Sequence, residues 1–125
     1  MSKNKIAAII AWLLMMCIAL SSVFSATAQT IPAKKTYAYI IAQPNPVGVG
    51  QPVKLIFGIT DYLNEWPDGW TGITITVEQP DGKTKTLGPF KTDPTGSTGT
   101  TFIPETAGTY YFQVHFPEQV YNWTV

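Results

Sequence analysis

Glu105-Thr106-Ala107-Gly108-Thr109-Tyr110-Tyr111-Phe112-Gln113-Val114 is the stretch on which the fold class turns. It reads as a turn that launches a strand. Gly108 stands two residues before Tyr110, and an inward–outward alternation begins at once: Tyr110, Phe112, Val114 and Phe116 inward, Tyr111, Gln113 and His115 outward. Such alternation has the two-residue period of a half-buried strand.

Working back from it, the same period recurs. Thr36 to Gln43 alternates Tyr37, Tyr39 and Ile41 with Ala38, Ile40 and Ala42. Pro52 to Thr60 carries Val53, Leu55, Phe57 and Ile59 on one face and should be a central strand. Ile73, Ile75 and Val77 mark the next buried strand. Pro80-Asp81-Gly82 is a tight-turn signal, so Lys83 to Phe90 should return as a hairpin. Lys91 to Gly99 reads as a loop, Thr100 to Ile103 as a short strand, and Gln119 to Val125 as the start of a last strand. About seven short strands punctuated by turns predict an all-β, antiparallel two-sheet sandwich with essentially no helix in this part.

The first 28 residues read as an export address. Lys3 and Lys5 form a positive start, Ile6 to Leu20 is apolar throughout, and Ala26-Thr27-Ala28 has the small-x-small form that signal peptidase cleaves. The expected product begins at Gln29, with 29–35 as linker and 36–125 as the domain, which reads as cut short in its last strand. The competing reading is an uncleaved membrane anchor. Ile6 to Phe24 covers 19 positions, enough at about 1.5 Å each to approach a bilayer core of about 30 Å. A lipoprotein signal does not fit, because Met16 precedes Cys17 where a small residue is needed. The expected location is secreted or cell-surface.

Composition narrows function further. Cys17 is the sole cysteine and departs with the signal, so the domain has no disulfide and no thiolate chemistry. Beyond residue 28 there are six lysines, no arginine and eight carboxylates, a net charge of −2. Without a basic patch or a guanidinium fork, nucleic acid is a poor partner. Sixteen threonines in those 97 residues favour strands.

The chain resembles the immunoglobulin-like modules of secreted and cell-surface prokaryotic proteins. The resemblance spans about Tyr37 to Val125 and rests on three pieces: Pro44-Asn45-Pro46-Val47-Gly48-Val49-Gly50-Gln51, Gln79-Pro80-Asp81-Gly82, and Ala107-Gly108-Thr109-Tyr110. The first piece is similar to the N-terminal module of large exported archaeal proteins, some with a β-propeller downstream. The resemblance implies that Tyr110 forms a tyrosine corner, its hydroxyl bonding back to backbone across the preceding turn. It departs from antibody-type domains at Phe112, where a bridging cysteine would stand opposite Leu55 or Phe57. Trp70 lies close to the family's core tryptophan, but its even number against Ile73, Ile75 and Val77 points it outward unless Gly72 carries a bulge.

The loop Asp61 to Gly72 is the candidate binding surface. Tyr62, Trp66 and Trp70 are read first as folding back to cap the open end of the core; the alternative is that they stack on sugar rings or grip a protein. Asp61, Asn64, Glu65 and Asp68 offer oxygens to a cation, but without the spacing of an EF-hand. His115 lies on an outer strand face with no nucleophile pattern beside it, and the carboxylates are scattered, so no enzyme and no cofactor are expected. Asn122-Trp123-Thr124 is a glycosylation sequon. Three functions stay open: a structural, spacer or adhesive module; a carbohydrate- or protein-binding module working through the aromatic loop; and an accessory domain of a larger secreted enzyme or propeller protein. The corresponding partners are an extracellular protein or polysaccharide, downstream domains, or a membrane through residues 6–24 if the signal stays attached.

Overall fold

The structure is a computed structural model that describes residues 2–21, 28, 30–63 and 69–122, with side chains 18–21 excepted. The chain divides into two units, 1–33 and 34–125.

The first unit contains α1, Lys3–Ser21. Its Ala, Ile, Leu and Met side chains are good or tolerable helix formers, with no Gly or Pro to interrupt them. Lys3 and Lys5 sit in the first turn, where the helix dipole disfavours cations, and no acid is there to offset them. Ile6, Ile9, Trp12, Leu13 and Met16 are exposed, so α1 is apolar all round rather than along one stripe. Among the described residues no helix is long and apolar enough to cross a membrane.

The second unit is built from β1 (Ala38–Gln43), β2 (Val53–Ile59), β3 (Ile73–Glu78), β4 (Thr84–Phe90), β5 (Ser97–Phe102) and β6 (Tyr111–His115). They form two antiparallel three-stranded sheets, β1-β2-β5 and β4-β3-β6. The two central strands supply most of the core that the sheets share. Leu55 and Phe57 of β2 and Ile73, Ile75 and Val77 of β3 are fully buried, and Val53, Ile59 and Phe102 nearly so. Each such side chain contributes about 1.5–3 kcal/mol on burial. The domain has no cysteine. Where the resemblance would place a bridge, Phe112 packs edge-on against Phe102 at 5.2 Å between centroids, and Phe57 meets Phe90 at 5.0 Å.

The β3–β4 connection forms the hairpin that Pro80-Asp81-Gly82 predicts. Gly82 N–H donates to Gln79 O at 2.9 Å, and Gln79 N–H to Lys83 O at 2.8 Å. The Asp81 carboxylate accepts from Lys83 N–H at 3.0 Å, and Gly82 takes φ 80°, a conformation that disfavours side chains.

Three strand readings need correction. β5 begins at Ser97, not Thr100, because Thr98 and Thr100 complete the ladder opposite Phe57 and Leu55; β-branched threonine serves there without apolar alternation. β6 begins at Tyr111, since Tyr110 sits in the corner. The described residues hold six strands rather than seven. Residues 119–122 are not a strand, and 123–125 lie outside the described residues. There the Gln119 side chain takes up backbone groups that a strand would use: its Nε2 donates to Thr71 O at 3.0 Å, and its Oε1 accepts from Thr71 N–H at 3.4 Å.

Candidate functional site

The candidate loop is tied down by its backbone. Leu63 N–H donates to Pro94 O at 2.7 Å and the Leu63 side chain is buried. The Asp61 carbonyl accepts the indole N–H of Trp70 at 2.8 Å. Between these two anchors Tyr62 projects outward, 66% exposed. The Asp61 carboxylate pairs with Lys34, an exposed partner, so this bond adds at most about 1 kcal/mol.

Trp70 takes the exception to parity that Gly72 allowed: it points inward and is only 9% exposed. Gly72 is the physical reason. It adopts φ 76°, breaking the alternation between Trp70 and Ile73, so that both face the core. The register shift of this strand against β4 falls further on, between Ile73 and Ile75. The Trp70 ring packs against Phe116 and Tyr121, each 5.6 Å between centroids. Its backbone N–H donates to Thr92 Oγ1 at 2.8 Å, and its carbonyl accepts from Thr92 N–H at 2.9 Å. Thr92 is the one buried polar side chain among the described residues, and its hydroxyl donates to Asp93 O at 2.8 Å. A Cβ on Gly69 would lie 1.9 Å from Thr92 O, so only glycine admits this approach. Trp70 is thus packed into the core at this end of the domain.

Asp93 organises the facing loop. Its carboxylate accepts from Thr95 Oγ1 at 2.5 Å, Thr95 N–H at 2.9 Å and Ser97 N–H at 3.2 Å. The Thr95 hydroxyl is the main cause that holds this carboxyl below its ordinary value. Slight burial works against it, and the Ser97 and Thr95 amides reinforce it.

Trp66, with Asn64, Glu65 and Asp68, lies outside the described residues. Asn122 of the sequon is exposed, while Trp123 and Thr124 lie outside. His115 is exposed on β6 opposite Thr74. Among the described residues no three His, Cys, Asp or Glu side chains gather as metal ligands.

At the turn before β6, Tyr110 makes the corner. Its hydroxyl donates to Thr106 O at 3.0 Å and accepts from Thr106 N–H at 3.2 Å, with Thr106 Oγ1 also at 3.0 Å. Gly108, at φ 141°, passes so close to Pro80 that a Cβ would fall 2.6 Å from the proline ring. Between this corner and the end of β1 lies a groove of about 600 Å³, with Ala42, Val47, Phe102, Pro104 and Phe112 in its wall.

Sequence reasoning singled out Tyr62 and Tyr110 but gave no sign of Leu63, Thr92 or the groove. Leu63 sits in a polar stretch with no period to mark it, and one threonine among many carries no signal. The groove arises from loops that meet only in the folded chain.

Compared with known proteins, the chain matches no family model, no curated protein and no solved structure.

Proposed function

We propose that this chain is a non-catalytic, exported immunoglobulin-like module with a structural, spacer or adhesive role, residues 1–28 serving as its signal peptide. The observation that carries this reading is the fate of Trp70. The aromatic that would anchor a stacking platform is instead locked in the core by Asp61 and Thr92. The two three-stranded sheets and the Tyr110–Thr106 corner support the immunoglobulin-like assignment. The Lys3/Lys5 start and the apolar run that follows it in α1 support export.

Expression in a secreting host tests this. Mass spectrometry should find a product beginning at Gln29 in the medium, and affinity electrophoresis through soluble polysaccharides should leave its mobility unchanged. A product retained in membranes with its N-terminus intact contradicts the export reading.

One observation favours a second reading. Tyr62 is exposed on an anchored turn, the kind of rigid aromatic that binding modules use. Polysaccharide retardation that disappears in Tyr62→Ala would establish a binding module instead.

A further inference from the structure

Beyond residue 28 the chain has one pair of adjacent cations, Lys34-Lys35, and the fold sets it apart from the other lysines. Residues 30–35 are exposed and belong to no helix or strand. Ordered backbone starts just past the pair: Tyr37 O accepts from Thr60 N–H at 2.9 Å, and β1 then runs from Ala38 along β2. The two side chains are held only at the surface. The Lys34 ammonium, on a side chain 76% exposed, meets the Asp61 carboxylate. The Lys35 ammonium lies 5.3 Å from the centre of the exposed Tyr37 ring. Exposed ties of these kinds contribute at most about 1 kcal/mol each. The other four lysines stand in bonded backbone or against it. Lys54 lies in central β2, between Gln43 and Thr101, and Lys85 lies in β4 opposite Val77. Lys83 closes the hairpin, its carbonyl taken by Gln79 and its N–H by Asp81. Lys91 precedes Thr92, which is bonded to Trp70 and Asp93.

We propose that Lys34-Lys35 is a processing site, cut after Lys35 by a trypsin-class protease to leave the two-sheet domain beginning at Thr36. A protease takes its substrate as an extended strand and pairs with its backbone, so it needs a run of exposed residues free of strand pairing. Residues 30–35 supply that run, and it ends where β1 begins. Trypsin-class enzymes carry a carboxylate in the pocket that selects the residue before the cut, which a lysine ammonium fills. Lys35 enters such a pocket by leaving only the face of Tyr37. Water is the second reactant. The bond from the Lys35 carbonyl carbon to the Thr36 nitrogen breaks, Lys35 gains a carboxylate and Thr36 an ammonium. The domain loses the Lys34–Asp61 pair but keeps the Thr60–Tyr37 bond, β1 and the core. The occasion for the cut rests on the export reading, since an exported chain meets such proteases; the accessibility of the bond does not.

The test is limited trypsin digestion of the full chain in mild detergent, followed by intact-mass spectrometry. A fragment beginning at Thr36 should accumulate before any cut further along the chain, and it should still melt in one cooperative transition. Lys34 and Lys35 are exposed, so the double variant Lys34→Gln/Lys35→Gln spares the fold, which circular dichroism checks. At the same dose of trypsin it should lose that fragment. A first domain cut after Lys54, Lys83, Lys85 or Lys91, a fragment that no longer melts cooperatively, or the same fragment from the double variant overturns the proposal. This digestion pattern from a chain that fails to be exported would count against the signal peptide alone.

Discussion

The indole N–H of Trp70 donates to the carbonyl oxygen of Asp61 at 2.8 Å, closing one end of the domain with a tryptophan on one side of a loop and a backbone carbonyl on the other. Removing the indole strands a carbonyl and empties ring volume beside Phe116 and Tyr121. Trp70→Ala should cost about 3–5 kcal/mol, and Trp70→Phe less, with the lost bond and lost volume both contributing. Urea unfolding followed by circular dichroism measures both. Tyr62→Ala, a few residues away but exposed, should shift the midpoint little.

At the opposite corner, Tyr110→Phe deletes only the hydroxyl that Thr106 engages through backbone and side chain. In a domain without disulfides this tie should be worth about 1 kcal/mol. An unchanged unfolding midpoint would mean that water replaces the hydroxyl without loss.

Acid should weaken the domain partly through Asp93. Its carboxyl is held below the ordinary carboxylate value when folded, chiefly by the Thr95 hydroxyl. A depressed folded pKa contributes stability that is complete above the unfolded value, about 3.9, and is lost as pH falls through the folded value. Asp93→Asn should therefore show a shallower loss of stability below about pH 4 than the parent, with little difference in slope at neutral pH. Equal slopes in acid would assign that loss to other carboxylates.

Gly58 tests how closely β2 and the loop before β5 approach. A Cβ there would lie 2.0 Å from Gly96 O, a backbone atom that is itself bonded to Ile59 N–H at 2.8 Å. Gly58→Ala should destabilise by about 1–3 kcal/mol or more. Gly82→Ala, in open space but at φ 80°, should cost about 1 kcal/mol through backbone strain alone. Parallel thermal melts distinguish the two, and a Gly58→Ala melt no lower than that of Gly82→Ala would show that the loop yields.

The alternation of Val53, Leu55, Phe57 and Ile59, and of Ile73, Ile75 and Val77, made both central strands legible, because a two-residue period is a local property of the chain. The hairpin at Asp81-Gly82 was legible for a similar local reason. Trp70 was legible only as a condition on Gly72: parity assumes extended backbone, and one residue at φ 76° reverses the side reached. The start of β5 was hidden because Ser97, Thr98 and Gly99 look like a loop until β2 supplies a ladder. The end of the chain was hidden because Gln119 satisfies Thr71 with a side chain, which no periodicity announces. Of the candidate site, the residue that projects was readable and the anchors that hold it were not, since Pro94 and Thr92 come from about thirty residues further along.

The Gln119 clamp on Thr71 also ties the segment after β6 back to the loop before β3. With the side-chain amide bonded to both backbone groups of Thr71, and Tyr121 seated on Trp70, that segment is held at two points. The two ties fall on the residue after Trp70 and on the buried indole itself, so the segment works as a latch on this end of the core. Gln119→Ala would loosen the latch and, with it, the packing around Trp70.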